Sequence, residues 1–490
     1  MLRLTGSPRT LCDGLTRRDF LVLGTLGTGL SLAQAAQAQS TERARADACI
    51  FLFPYGSPPQ HETFDPKPDA PPEVRGEMGS IPTALPGVRI GEGLPRVARI
   101  LDKVTVVRSM SHPYPVHGVV YAVSGIPTYT PDLETRHRDS RLWPFVGSAV
   151  DYVLAKRTGQ GLPEVPRNIV LPWVLNSKTD LDVKAGPYAA YLGQAYDPIF
   201  TDFDGVGTKI APRYTADQGK EFLDPFAQTV ASGRFHVSTE ARLRADVPGR
   251  RLDLRRDLLQ RFDRARAGVD RAGNASIFDR FQQQAFSLIS SSRMREALDV
   301  GREPHLLRER YGMTLFGQAC LAARRLVEAG CKFVTVFWDG YGQFANCAWD
   351  THANHFPRLR DYLLPGFDLA YSALIEDLDT RGMLDRTLVV CTSEHGRTPQ
   401  IDSKPKGAGR HHWSRVYSAV LAGGGVARGR VVGSSDKLGG EVKDTPISAK
   451  DLLATMVDAL GIDPETTLPD QQARPMPIVG AGTARREVLA

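Results

Sequence analysis

Apolar residues along the chain fall into runs of two kinds. Cys49-Ile50-Phe51-Leu52-Phe53, Val104-Thr105-Val106-Val107, Ile169-Val170-Leu171, Lys332 to Trp338, Thr387 to Thr392 and Tyr417 to Ala422 are brief and rich in β-branched or aromatic residues. Such runs predict buried strands. Between them lie longer stretches whose apolar positions recur three and four apart: Trp143 to Leu154, Leu315 to Ala329, Leu359 to Arg381, and the stretch from Ser448 through Leu460. These predict helices, with Gly330 and Gly382 as stops and Ser448 as an N-cap. Pro365 is expected to bend or restart its helix. A short helix, Val116 to Ser124, is expected after the second strand. Strands alternating with helices imply right-handed crossovers, so the fold class is α/β with a mostly parallel sheet flanked by helices.

The pattern weakens from Thr179 to Arg250, where Gly, Pro, Asp and Tyr dominate. That is too long for a plain loop in a compact domain, and it reads as an inserted cap or substrate-facing region at about 179–250. Leu252 to Val300 returns to helical spacing, with a charge run that reads as a solvated face.

The N-terminus has a different logic. Thr16-Arg17-Arg18-Asp19-Phe20-Leu21 leads into an apolar run ending at Leu32, followed by Ala-x-Ala pairs that offer cleavage after Ala35 or Ala38. The twin arginine with x-Phe-Leu resembles a Tat signal. Residues 1–38 are therefore expected to be removed by export, with the Tat translocase as a transient partner and a mature chain, 39–490, in the periplasm or secreted. The apolar run is shorter than the ~20 residues of a spanning helix, so no stable membrane span is expected.

Composition narrows the class without deciding it. The 490 residues are 42% hydrophobic and 24% charged, as in an ordinary globular chain. Sixty-one Lys and Arg against 55 Asp and Glu leave a net charge of +6, too diffuse to argue for nucleic acid. Six cysteines without a CxxC pair suggest neither a disulfide scaffold nor a thiolate zinc site.

Candidate chemistry lies in the histidines. Five of the eleven fall between positions 352 and 412: His352, His355, His395, His411 and His412. Asp350 sits two before His352, and Glu394 directly before His395. Imidazole with carboxylate suits divalent metals. Each group follows a predicted strand: Glu62 and Asp65 after the first, His112 and His117 after the second, Asp350 and His352 after the run ending at Trp338, Glu394 and His395 after the run ending near Thr392. In an open parallel sheet, sites form beyond the carboxyl ends of strands, so these side chains are expected at one edge.

Taken with the leader, Gly56-Ser57-Pro58-Pro59-Gln60-His61-Glu62-Thr63-Phe64-Asp65-Pro66-Lys67-Pro68, Val107-Arg108-Ser109-Met110-Ser111-His112, Trp349-Asp350-Thr351-His352, Glu394-His395-Gly396-Arg397-Thr398-Pro399 and Gly409-Arg410-His411-His412-Trp413 resemble the bacterial sulfatase-like family catalogued as domain of unknown function 1501. That family is similar to the alkaline phosphatase superfamily. The resemblance implies an alkaline-phosphatase-like core holding one or two divalent ions (zinc, manganese or calcium). It implies a ligand set of Glu62 or Asp65, Asp350 and His352 (His355 as alternative), Glu394 and His395, and His412 (His411 as alternative). Superfamily hydrolases place a nucleophile after the second strand. This stretch has no Cys-x-Pro-x-Arg or Ser-x-Pro-x-Arg, which argues against a formylglycine sulfatase. Ser111 is the nearest hydroxyl, His117 an acid, ligand or phosphate acceptor, and Arg397 a partner for an oxyanion. The expected function is an exported metal-dependent hydrolase of phosphate or sulfate esters of small molecules or glycans. The alternative is a metal-bearing envelope binding protein without turnover.

Overall fold

The computed structural model describes residues 44–490 apart from 115–117, 129, 138, 140, 159–162, 213–222, 238–290, 343–347 and 404–406. The leader and His117 lie outside the described residues, as does much of the stretch expected to be helical between 252 and 300. Within that stretch Ser292–Leu298 is helical.

Nine strands build the main sheet: β1 (Ala48–Pro54), β2 (Val104–Met110), β3 (Asn168–Leu171), β4 (Ile199–Asp204), β5 (Arg234–Val237), β6 (Phe333–Trp338), β7 (Thr387–Cys391), β8 (Tyr417–Ala422) and β9 (Arg430–Val432). Their spatial order is β9-β2-β8-β7-β1-β6-β3-β4-β5. β1 sits in the middle, parallel to β6 with Leu52 opposite Val336 and parallel to β7 with Leu52 opposite Cys391. β8 runs antiparallel to both its neighbours, and β5 is antiparallel to β4. The remaining seven strands share one direction, so the loops that leave β1, β2, β6 and β7 emerge at the same edge.

Side-chain alternation along β1 explains its central place. Ile50 and Leu52 enter one apolar cluster, while Cys49, Phe51 and Phe53 enter another on the opposite face. A strand apolar on both sides is stable only with both faces covered. Helices α1 (Val119–Ser124), α2 (Val146–Thr158), α3 (Leu315–Glu328), α4 (Leu364–Thr380) and α5 (Ala449–Ala459) provide the cover. Leu321 of α3 and Leu374 of α4 lie in the first cluster; Val150 of α2 and Leu453 of α5 lie in the second.

Local signals act as the sequence predicts. Ser448 and Asp451 form a reciprocal capping box at the start of α5. Pro365 is the second residue of α4 and directly follows a π-helical turn over Leu359–Leu363, the kind of irregularity that accompanies a residue without an N–H inside a helical stretch. The segment 179–250 contributes β4 and β5, which extend the sheet at one edge. No helix among the described residues is long and apolar enough to cross a membrane.

Candidate metal centre

Beyond the sheet edge, three chain segments interlock. Arg410 N–H donates to the Thr351 carbonyl at 3.2 Å, Thr398 N–H to the His411 carbonyl at 2.9 Å, and Trp349 N–H to Tyr55 at 3.1 Å. The two-residue strands Gly396–Arg397 and His412–Trp413 pair antiparallel, with Arg397 opposite His412. Gly409 is required by close approach: a Cβ there would stand 1.8 Å from the His352 carbonyl oxygen.

This interlock brings Asp350, His352 and His412 together. Among the described residues they form the one group of three metal-competent side chains, with donor atoms within 4.8 Å of one another. Asp350 Oδ1 lies 2.9 Å from His352 Nε2 and 3.2 Å from His412 Nε2, and the two Nε2 atoms are 2.9 Å apart. Donors so spaced are close enough for one divalent ion to be shared among them, since such ligands stand ~2.0–2.2 Å from their metal. Two imidazoles and a carboxylate on one face are a donor set for a divalent ion with open positions. The residues present therefore fit the group the resemblance implies. All three are half-buried and so remain reachable by solvent.

His395 flanks the group, its ring centroid 4.5 Å from that of His412. Its Nδ1–H donates to the Gly396 carbonyl at 2.8 Å, so Nε2 carries the lone pair. Glu394 is fully buried: Oε1 accepts from Gly56 N–H at 2.9 Å and Oε2 from the Ser393 hydroxyl at 2.5 Å. Gly56 and Ser57 both have positive φ, 91° and 73°, and this tight turn after β1 is what presents the Gly56 N–H.

The other expected site residues have different partners. Glu62 is buried between Arg410, at 2.6 and 3.1 Å, and His355, at 3.3 Å. Burial pushes its carboxyl up, but the Arg410 guanidinium and the His355 ring outweigh that and hold it down at about 2. His355 is pushed below the usual imidazole range, chiefly by burial. Its Nδ1 lies 2.7 Å from Thr351 Oγ1, so the neutral ring accepts from that hydroxyl and turns Nε2–H toward Glu62. Asp65 binds Lys67 at 2.9 Å and the Ser435 hydroxyl. Both acids thus fasten the loop after β1 and stand outside the three-residue group.

Arg397 is completely buried. It donates to the carbonyls of Ser57, at 3.3 Å, Arg410, at 3.2 Å, and Gly56, and pairs with Asp350. It is a strut for the Asp350 carboxylate.

Ser111 lines a cavity of about 670 Å³ with His112, Tyr114, Tyr121, Arg415 and Lys450, none of them in the three-residue group. His112 joins the cavity to the centre: Tyr114 N–H donates to its Nδ1 at 3.1 Å, so its Nε2–H donates to the Glu394 carbonyl at 2.7 Å. Burial holds this ring below the usual imidazole range.

The family described as "Protein of unknown function (DUF1501)" matches residues 46–489. No curated protein matches the chain. Among solved structures, a sulfatase from Pseudoalteromonas sp. is 12% identical, with 93% of this chain and 77% of that one covered at a TM-score of 0.36. A phosphonate monoester hydrolase from Silicibacter pomeroyi is 10% identical over 91% and 76%, at 0.31. The alkaline phosphatase of the Antarctic bacterium TAB5 is 13% identical over 78% and 92%, at 0.31.

Proposed function

The chain belongs to the family described as protein of unknown function (DUF1501), and from that premise we propose that it is an exported, metal-dependent hydrolase of phosphate or sulfate esters with an alkaline-phosphatase-like core. The observation that carries the reading is the triangle of Asp350 Oδ1, His352 Nε2 and His412 Nε2, with edges of 2.9 to 3.2 Å. A divalent ion held there would supply Lewis acidity toward an ester oxygen and an ionised water near neutral pH. Two imidazoles beside one carboxylate suit zinc or manganese better than calcium, which favours all-oxygen donors.

The remaining work belongs to the chain. Asp350 provides the negative charge, and Arg397 fixes its orientation from the buried side. His352 and His412 provide neutral lone pairs. His395, packed on His412, restrains that ring and stands next in line as a donor. In the wall of the cavity beside His112, Arg415 pairs with Glu441, and Lys450 leaves one net positive charge that would favour the anionic ester of a small molecule or glycan. Export by the Tat route is part of the same proposal, supported by Arg17-Arg18, the apolar run and the Ala-x-Ala sites.

A second reading, a metal-bearing envelope binding protein without turnover, is favoured by two observations. Arg397 is committed to four partners within the protein, and Ser111 belongs to the cavity and not to the triangle. Elemental analysis beside a screen of chromogenic phosphate, phosphodiester and sulfate esters separates them. Metal with turnover that His412→Ala abolishes supports the hydrolase. Metal without turnover supports the binding protein. Turnover indifferent to His412→Ala overturns the site.

A further inference from the structure

We infer that Asp402 and His411 form a relay of hydrogen bonds that fixes His352 in the tautomer able to bind a divalent cation. The inference rests on the metal-centre reading and extends it to two residues outside the triangle.

The polarity of the chain follows from one end. His411 Nε2 lies 2.9 Å from Asp402 Oδ2. An ionised carboxylate only accepts, so the His411 hydrogen sits on Nε2. In the singly protonated ring His411 Nδ1 is then the lone-pair nitrogen. It lies 2.7 Å from His352 Nδ1, a separation that demands one donor and one acceptor. His352 must donate, so its hydrogen is on Nδ1 and its own lone pair is on Nε2. That atom stands 2.9 Å from both Asp350 Oδ1 and His412 Nε2, contacts that call for an N–H there when no ion lies between them, so the polarity of the relay is the one that a bound ion selects and that Asp402 can accept. Reversing any link would turn an N–H toward the position of the ion.

The backbone holds both members in place. Asp402 and Gly409 exchange backbone hydrogen bonds of 2.8 and 2.9 Å, and His411 N–H donates to Thr398 Oγ1 at 3.0 Å. Packing does not account for the pair. The His411 side chain is 43% exposed and Asp402 26%, and an ion pair so placed contributes little to stability. Histidine ligands generally donate their second nitrogen to a carboxylate or carbonyl that fixes the ring, and losing that partner weakens binding ~10–100-fold. In this protein an imidazole stands between the ligand and the carboxylate.

The test uses the full mature chain, stripped of metal and titrated with Co²⁺ against a chromogenic chelator, with the visible spectrum of the bound ion recorded. His411→Phe removes the acceptor and keeps the bulk. It is expected to weaken Co²⁺ binding about 10–100-fold and to change the spectrum, while the metal-free Tm stays at the wild-type value. His411→Gln, whose amide oxygen can accept from His352 Nδ1–H, is expected to restore the spectrum and bring affinity within about threefold of wild type. Asp402→Ala is expected to fall between them. Wild-type affinity and spectrum in His411→Phe would overturn the relay while leaving the centre standing. Equal weakening by Phe and Gln, with an unchanged spectrum in both, would make His411 a packing residue and also overturn it. A wild-type chain that binds no Co²⁺ would instead overturn the metal-centre reading.

Discussion

Glu62→Gln should separate an anchoring carboxylate from a metal ligand. Glu62 is 1% exposed and shares its oxygens between Arg410 and His355. Gln keeps the shape and removes the charge, which leaves a fully buried guanidinium without its carboxylate. A carboxyl held at about 2 instead of its ordinary 4.5 contributes roughly 3 kcal/mol when ionised. That agrees with the ~3–5 kcal/mol usual for breaking a buried pair. The folded-state pKa is depressed, so this contribution is complete above about 4.5 and disappears as pH falls through about 2. Thermal unfolding of wild type and variant should therefore differ by about 3 °C in Tm for a chain of this length between pH 5 and 8. The gap should narrow steadily between pH 4.5 and 2. Bound metal should stay at the wild-type stoichiometry, because Asp350, His352 and His412 remain. Equal Tm at pH 7 would refute the buried-pair reasoning, as would a gap indifferent to acid. Loss of metal without loss of stability would return Glu62 to the role of ligand.

Other outcomes follow from the same geometry. Gly409→Ala places a methyl on the His352 carbonyl, 1.8 Å away before relaxation, and should abolish metal binding in whatever folded protein is recovered, read by elemental analysis. Glu394→Gln should cost ~1–2 kcal/mol, since the amide can still face Gly56 N–H and Ser393 but loses a charge-assisted bond, measured by urea unfolding. His395→Ala should loosen the His412 ring and lower metal affinity in a chelator competition. Replacing Arg17 and Arg18 together with Lys should leave the precursor in the cytoplasm in a fractionation blot, and normal export would remove the Tat assignment.

The strands and helices were legible because each is a short apolar pattern with a defined stop. Cys49 to Phe53 is apolar at every position, and a strand apolar on both faces belongs between two helix layers. β9 was not legible: Arg430 is exposed, and the strand exists because Val431 pairs with Val106. β4 was also hidden, since Asp202 and Asp204 interrupt its apolar positions and the pairing with Ile169 and Val170 supplies the order. At the site, strand ends pointed to Asp350 and His352, which the structure brings together with His412. Strand ends could not tell which acids and histidines would gather into one group and which would pair elsewhere. Glu62 meets Arg410 across 348 positions, and nothing local to either residue announces it. Asp402, a lone acid in a polar loop, becomes informative only once the Asp402–Gly409 bridge turns it toward His411.

The most direct test is bound divalent metal per chain, measured by elemental analysis on purified mature protein and on the single variants Asp350→Asn and His412→Ala, each confirmed folded. The account predicts one ion per wild-type chain and a marked loss in both variants. A metal-free wild type, or full occupancy in both variants, would contradict it.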